Sequence, residues 1–312
     1  MKRFLSKLIL VSLPIFIIPT IFVLIFGFPP PNLSNSISLN AKILNYKKKR
    51  CDNNTAIDVL SIGSSMTLNN LNSKVIEEEL NSNYFNFSSW GQKMEENYKF
   101  LKLIANIHNV DLVILSSGII DFYKPTKKIK YNLVNKFLKD ENIPIYKELN
   151  IKYLISESIS FHNKRKSTTD YSSLKYDKSG AVSLVNKNFK IDSIRWEGNT
   201  IRETKLNYNQ YKYFDSISQF CAKRKIKLFL AQSPYREGYR SKLNKKEQTI
   251  LKNHKDRIKL KLLEKNQTFI DVTDDNNWND SLFVDYSHLN KKGAKIFTRL
   301  VVDQINSSTQ SP

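Results

Sequence analysis

The sequence predicts an α/β protein: a parallel sheet covered by helices on both faces, preceded by a transmembrane helix and interrupted by a mid-chain insertion. Three observations carry that expectation. Short apolar, β-branched runs alternate with single helical stripes, and strands separated by one helix each pair in parallel. An uncharged apolar run, Leu8 to Phe28, opens the chain. Between Phe122 and Lys205 the alternation dissolves into turn-rich, basic sequence. Of 312 residues, 40% are hydrophobic and 12% aromatic. That is enough for a real core and excludes a disordered chain.

The opening run, LILVSLPIFIIPTIFVLIFGF, can cross a hydrocarbon layer of ~30 Å, which takes roughly 20 helical residues. Pro14 and Pro19 would kink such a helix without forbidding a span. Lys2, Arg3 and Lys7 precede it and, by the positive-inside rule, hold the N-terminus in the cytoplasm. The run is longer than the roughly 7–15 apolar residues of a signal peptide, and no A-x-A site precedes Pro29-Pro30-Pro31. An uncleaved single-pass anchor in the cytoplasmic membrane is therefore expected over residues 1–28, with the rest of the chain exported. Residues 29–52 read as an extended linker, and residues 53–312 as the α/β domain.

Within that domain, Ile57 to Ile62 is a buried strand that stops at Gly63. Asn72 or Ser73 caps the helix SKVIEEEL. Asn83 to Phe87 is a second strand, Glu95 to Ile107 a helix, and Leu112 to Leu115 a third strand. Beyond the insertion, Tyr208 to Arg224 reads as a helix, Ile226 to Ala231 as a strand ended by Pro234, Leu243 to Glu264 as a basic helix, and Thr268 to Val272 as a strand. Lys291 to Ile305 closes the chain as a helix with Ile296, Leu300, Val301 and Ile305 on its apolar face.

Lys and Arg number 50 against 29 Asp and Glu, a net charge of +21. Eight of the cations lie in the first fifty residues, which hold no acid, and the insertion at 122–205 carries 18 against 9. Such a surplus suits an anionic neighbour, either phospholipid head groups or an acidic polymer. Nucleic acid is not expected as a partner, because no binding motif is present and the anchor places the domain outside the cell. Cys51 and Cys221 are the only cysteines, which excludes a disulfide-dense scaffold and a cysteine-based zinc module. No metal-ligand spacing appears, so neither metal nor cofactor is expected. The insertion reads either as a solvated excursion or as a cap over the neighbouring site.

Four short pieces carry chemistry. Gly63-Ser64-Ser65 follows a strand and precedes a helix, at the carboxyl end of the sheet where ligands collect in open α/β folds. Asn86-Phe87-Ser88-Ser89-Trp90-Gly91 brings a second strand end to a glycine. Ser117-Gly118-Ile119-Ile120-Asp121-Phe122 follows the third strand. Asp285-Tyr286-Ser287-His288 places a carboxylate three residues before an imidazole, so that it can fix the tautomer while the other ring nitrogen faces a serine. The other histidines, His108, His162 and His254, have no such partner and read as helix-face or surface-loop residues.

In this order the four pieces resemble the SGNH hydrolase, or GDSL esterase, superfamily, and in particular its membrane-anchored "GSS" branch linked to cell-envelope polysaccharide acylation. The resemblance covers roughly residues 57–122 and 226–305. It implies a three-layer α/β/α flavodoxin-like sheet, with Ser65 as nucleophile, His288 as general base and acid, and Asp285 as the orienting carboxylate. Ser65 N–H and Gly91 N–H would form part of the oxyanion hole. Two departures stand out. Ser64 replaces the Asp of the GDS motif, and Ile120 stands where the family's oxyanion asparagine belongs, with Asn86 or Gln92 as nearby replacements. The resemblance further implies O-acetylation or deacetylation of a cell-surface polysaccharide or anionic envelope polymer, with a membrane-bound O-acyltransferase as partner. The alternatives are an accessory role in D-alanylation of teichoic acid and a non-catalytic scaffold subunit of an envelope assembly.

Overall fold

The computed structural model describes residues 2–51, 55–125, 127–139, 151–167, 173–185, 193–273 and 278–310. Five strands, β1 (Val59–Gly63), β2 (Tyr84–Ser88), β3 (Leu112–Ser117), β4 (Lys227–Gln232) and β5 (Thr268–Ile270), form one parallel sheet in the order β2-β1-β3-β4-β5. The helices are α1 (Lys2–Phe26), α2 (Ile37–Tyr46), α3 (Ser65–Asn70), α4 (Ser73–Glu79), α5 (Met94–Ile104), α6 (Tyr131–Leu138), α7 (Ile151–Lys166), α8 (Ser193–Glu197), α9 (Tyr208–Lys223), α10 (Glu237–Arg240), α11 (Lys245–Leu263) and α12 (Lys291–Gln310).

Alternate strand residues face opposite sides of the sheet, and each side has its own core. Leu60, Phe85, Val113 and Leu228 join Phe100 of α5, Phe214 of α9 and Ile258 of α11 on one side. Val59, Tyr84, Ile114 and Phe229 join Ile76 of α4 and Phe297, Val301 and Ile305 of α12 on the other. Those last three residues recur every four positions, which gives α12 one buried stripe. Each such side chain contributes about 1.5–3 kcal/mol on burial, so a charge at Val301, which is 0% exposed, would break the packing. The three layers and the strand order are those of a flavodoxin-like sheet. The predicted strands and domain helices therefore appear close to their expected places.

Three expectations change. The sequence suggests an extended linker over residues 29–52, but Ile37–Tyr46 forms α2. Ser36 caps it, and Leu39, Ile43 and Tyr46 lie fully buried in the core of the α5 and α9 side. Lys42 on the same helix is 0% exposed. Its ammonium donates to Asn86 O at 3.1 Å and to Gly180 O, and it sits 4.0 Å over the Tyr176 ring. Burial pulls its pKa down to about 7, with Asp177 opposing. His254, expected on a helix face, is 2% exposed and bonds Tyr211 through Nδ1 at 2.7 Å. It shares the buried stripe of α11 with Ile250 and Ile258.

The third change concerns the anchor. Lys2–Phe26 is one helix with Pro14 and Pro19 inside it, while the side chains of residues 2–6 and 8–11, Lys2 and Arg3 among them, lie outside the described set. Among the described residues no helix is long and apolar enough to cross a membrane, so the transmembrane helix expected over residues 1–28 is not supported there. Of the insertion, residues 126, 140–150, 168–172 and 186–192 lie outside the description.

Candidate active site

Strand β1 ends at Gly63, where a Cβ would meet Thr67 Oγ1 at 2.0 Å. Only glycine lets α3 start this close to the strand. Ser64 caps α3, its side chain accepting from Met66 N at 3.2 Å, so Ser65 is the first helical residue. At the far end of α3, Asn70 Oδ1 accepts Leu289 N at 2.9 Å and Asn70 Nδ2 donates to Ser287 O at 3.2 Å. That amide clamps the serine helix to the loop carrying Asp285 and His288.

The loop folds back on itself, with Val284 N donating to His288 O at 2.9 Å. Asp285 Oδ1 accepts Ser287 N at 2.8 Å and His288 N at 2.7 Å. The carboxylate also takes His288 Nδ1, at 3.0 Å from Oδ1 and 2.8 Å from Oδ2. A carboxylate oxygen accepts, so Nδ1 is the ring nitrogen that donates to Asp285 and Nε2 is the one that can accept from a hydroxyl. Nε2 stands 2.8 Å from Ser65 Oγ. Asp285 is 2% exposed, and Ser65 and His288 are each 7% exposed. The structure thus joins the three predicted residues in one unbroken hydrogen-bonded chain, at the distances general-base activation of a hydroxyl requires.

Gly91 sits beside this chain. Ser89 N donates to Gly63 O at 3.2 Å, and the Trp90 ring centroid lies 5.7 Å from that of His288. Gly91 itself has φ +66, with nothing within 4 Å of a built Cβ, so the positive φ rather than crowding is what favours glycine here.

Ile120 gives the hole no side-chain donor. Its side chain packs against the cluster of Met66, Ile119 and Tyr235, and its carbonyl accepts from Lys93 Nζ. The two replacements considered from sequence are both fully buried and already bonded: Asn86 Nδ2 donates to Thr67 O at 2.9 Å, and Gln92 Nε2 donates to Asn97 Oδ1 at 2.8 Å. Asp121 of the same turn is structural. Its Oδ2 accepts Ser117 Oγ at 2.9 Å and Gly118 N at 3.2 Å, and burial raises its pKa against the pull of Lys93 and Ser64.

Two parts of the insertion flank the histidine loop. On one side Val182 N donates to Leu68 O at 3.1 Å, Asn69 Nδ2 to Val182 O at 2.9 Å, and Lys291 N to Leu184 O at 2.8 Å. On the other, Tyr286 N donates to Arg195 O at 3.2 Å, and Arg236 holds Trp196 through Nε at 2.9 Å and a stacking distance of 4.4 Å. Sequence reasoning missed Asn70, because a lone amide carries no local sign of a tertiary partner, and it left open whether the insertion is a solvated excursion or a cap. Among the described residues no group of three or more His, Cys, Asp or Glu could hold a metal ion.

A protein-family model without a descriptive name matches residues 186–310, a stretch that contains β4, β5, α12 and the Asp285–His288 loop. No curated protein matches the chain. Among solved structures the chain is similar to a lipolytic-type protein of the G-D-S-L family from Desulfitobacterium hafniense, at 12% identity and TM-score 0.40 over 78% of this chain and 97% of that one. It is similar to a protein classed as an acylhydrolase from Bacteroides fragilis, at 13% identity and TM-score 0.46 over 86% and 98%. A GDSL-like lipase from Bacteroides thetaiotaomicron is similar at 13% identity and TM-score 0.44 over 85% and 99%. These are distant likenesses.

Proposed function

We propose that the chain is a membrane-anchored serine acyl-transfer enzyme, an O-acetyltransferase or acetylesterase acting on a cell-surface polysaccharide through an acyl-serine. The carrying observation is the hydrogen-bonded chain Ser65–His288–Asp285, at 2.8 Å from Oγ to Nε2 and 2.8 Å from Nδ1 to Oδ2. Ser65 Oγ attacks the ester carbonyl as its proton passes to His288 Nε2. Asp285 stabilises the resulting imidazolium, and the backbone N–H groups of Ser65 and Gly91 hold the oxyanion. The tetrahedral intermediate collapses as His288 returns the proton to the leaving alkoxide. An acceptor hydroxyl, or water, then attacks the acyl-serine by the reverse sequence.

Support for the anchor comes from both sequence and surface. Leu8 to Phe28 holds no charge, and Leu13, Ile15, Phe16, Ile18, Ile21 and Leu24 are all at least half exposed. Exposed apolar side chains in such a run suit lipid. The basic insertion beside the site favours an anionic or polyhydroxylated acceptor. The test is hydrolysis of p-nitrophenyl acetate by the full chain. Slow turnover lost in both Ser65→Ala and His288→Ala is expected, and unchanged turnover in Ser65→Ala would overturn the mechanism.

A scaffold reading has one observation in its favour, the apolar Ile120 where a third oxyanion donor would stand. It gives the same fold with no turnover in any variant, so the same assay separates the two.

A further inference from the structure

Lys42 of α2 is 0% exposed, and an ammonium taken wholly out of water is costly unless its surroundings receive it. Three groups do. Asn86 O in β2 accepts from Nζ at 3.1 Å, Gly180 O of the insertion accepts as well, and the centroid of the Tyr176 ring lies 4.0 Å away. Gly180 is what makes this convergence possible. Its φ is +89, and a Cβ there would meet Asn86 O at 2.6 Å and the Phe85 ring at 3.0 Å. Only glycine lets the two carbonyls share one cation. Beside the ammonium, Asn86 N also donates to Ser179 O at 2.7 Å, tying strand and insertion together.

Both acceptors lead on to the serine helix. Asn86 Nδ2 donates to Thr67 O at 2.9 Å. The strip that begins at Gly180 reaches Val182, whose N–H donates to Leu68 O at 3.1 Å and whose carbonyl accepts Asn69 Nδ2 at 2.9 Å. Two routes thus leave one ammonium and end on consecutive carbonyls of α3, just past Ser65. With 6 residues, α3 is too short to be stable on its own, so outside contacts decide where Ser65 stands. Asn70 pins the far end of α3 to the histidine loop, and the bonds at Thr67 and Leu68 hold the end near Ser65. Helix α2 grips the site's edge at a second point: Ser38 O accepts Tyr176 OH at 3.1 Å, and Ser38 Oγ accepts Ser89 Oγ at 3.4 Å.

We infer that Lys42 is a positioning residue for Ser65: its ammonium locks β2 and the insertion strip onto α3, and so holds Oγ against His288 Nε2. Without it, the Ser65 end of α3 swings about the Asn70 clamp and leaves the imidazole. The inference rests on the serine acyl-transfer reading, and it gives the segment that follows α1 a part in the chemistry.

The test follows acetylation of Ser65 by p-nitrophenyl acetate in the full chain, by rapid quench and mass spectrometry, beside KM and thermal unfolding. Lys42→Met keeps the length of the side chain and removes every donor. It should slow acetylation about 10- to 100-fold, since a misplacement near 1 Å costs about 10², with KM within about twofold of wild type. Gly180→Ala, which drives a Cβ into Asn86 O, should reproduce that loss with Lys42 still present. Lys42→Arg again donates to both carbonyls and should recover most of the rate. Leu262→Ala, a change at a fully buried position of α11, should lower Tm at least as far and leave acetylation within about twofold. A wild-type rate in folded Lys42→Met or Gly180→Ala, no recovery in folded Lys42→Arg, or an equal loss in Leu262→Ala would each overturn the inference. Acetyl-Ser65 forming in the wild type and equally fast in Lys42→Met defeats this inference alone, whereas no acetyl-Ser65 in the wild type defeats the acyl-transfer reading itself.

Discussion

Asp285→Asn isolates the tautomer argument, because the structure fixes how the new amide must sit. Oδ1 of Asp285 accepts two backbone N–H groups, Ser287 N at 2.8 Å and His288 N at 2.7 Å. An asparagine satisfies both only with its oxygen in that position. Its NH₂ then occupies the Oδ2 place, 2.8 Å from His288 Nδ1, and donates where the carboxylate accepted. The ring must answer by accepting at Nδ1 and carrying its proton on Nε2. Nε2 can then no longer take the proton of Ser65 Oγ, which stands 2.8 Å away. In Ser-His-Asp proteases the same exchange costs about 10⁴ in kcat, or ~5.5 kcal/mol at 1.36 kcal/mol per tenfold. The assay is p-nitrophenyl acetate turnover beside thermal unfolding. A loss of about 10³–10⁴ in kcat with Tm nearly unchanged is expected, since both backbone bonds survive. A loss under tenfold would refute the assignment of Asp285.

Ile120→Asn should raise kcat by up to ~10²-fold, because one oxyanion donor contributes about that much. An unchanged rate in a normally folded variant would mean the turn does not aim position 120 at the oxyanion. His254 gives a pH prediction. Burial first, then Arg257 and Lys255, hold its folded pKa down to about 3, whereas the unfolded chain protonates it near 6.5. Its contribution is therefore complete above pH ~6.5 and drains away as pH falls toward 3. Urea midpoints should decline less steeply below pH 6.5 in His254→Gln than in the wild type, and parallel curves would exclude the effect. A C-terminal alkaline phosphatase fusion should be active with the full-length mass kept in the membrane fraction, and an inactive fusion would overturn the proposed topology.

Much of the sheet was legible because β1, β3 and β4 are short, mainly apolar runs with Gly63, Gly118 and Pro234 at or just beyond their ends. The site was legible for a similar reason: Asp285 and His288 are three residues apart, so the pair declares itself locally. What stayed hidden depends on distant partners. Leu39, Ile43 and Tyr46 make a helical stripe, but the surrounding Ser and Asn residues after Pro29-Pro30-Pro31 look like a linker. Lys42 lies in the core only because two carbonyls and the Tyr176 ring receive its ammonium. His254 reads as surface on a helix rich in lysine, yet its spacing of four from Ile250 and from Ile258 was available in the sequence. Asn70 reads as nothing until the loop it holds is folded against it.

The most direct test of the account is intact and peptide mass spectrometry of the full chain quenched during turnover of p-nitrophenyl acetate. An acetyl group on Ser65, absent from Ser65→Ala and strongly reduced in His288→Ala, is the predicted result. Turnover with no adduct at Ser65, or an adduct that forms equally well without His288, would contradict it.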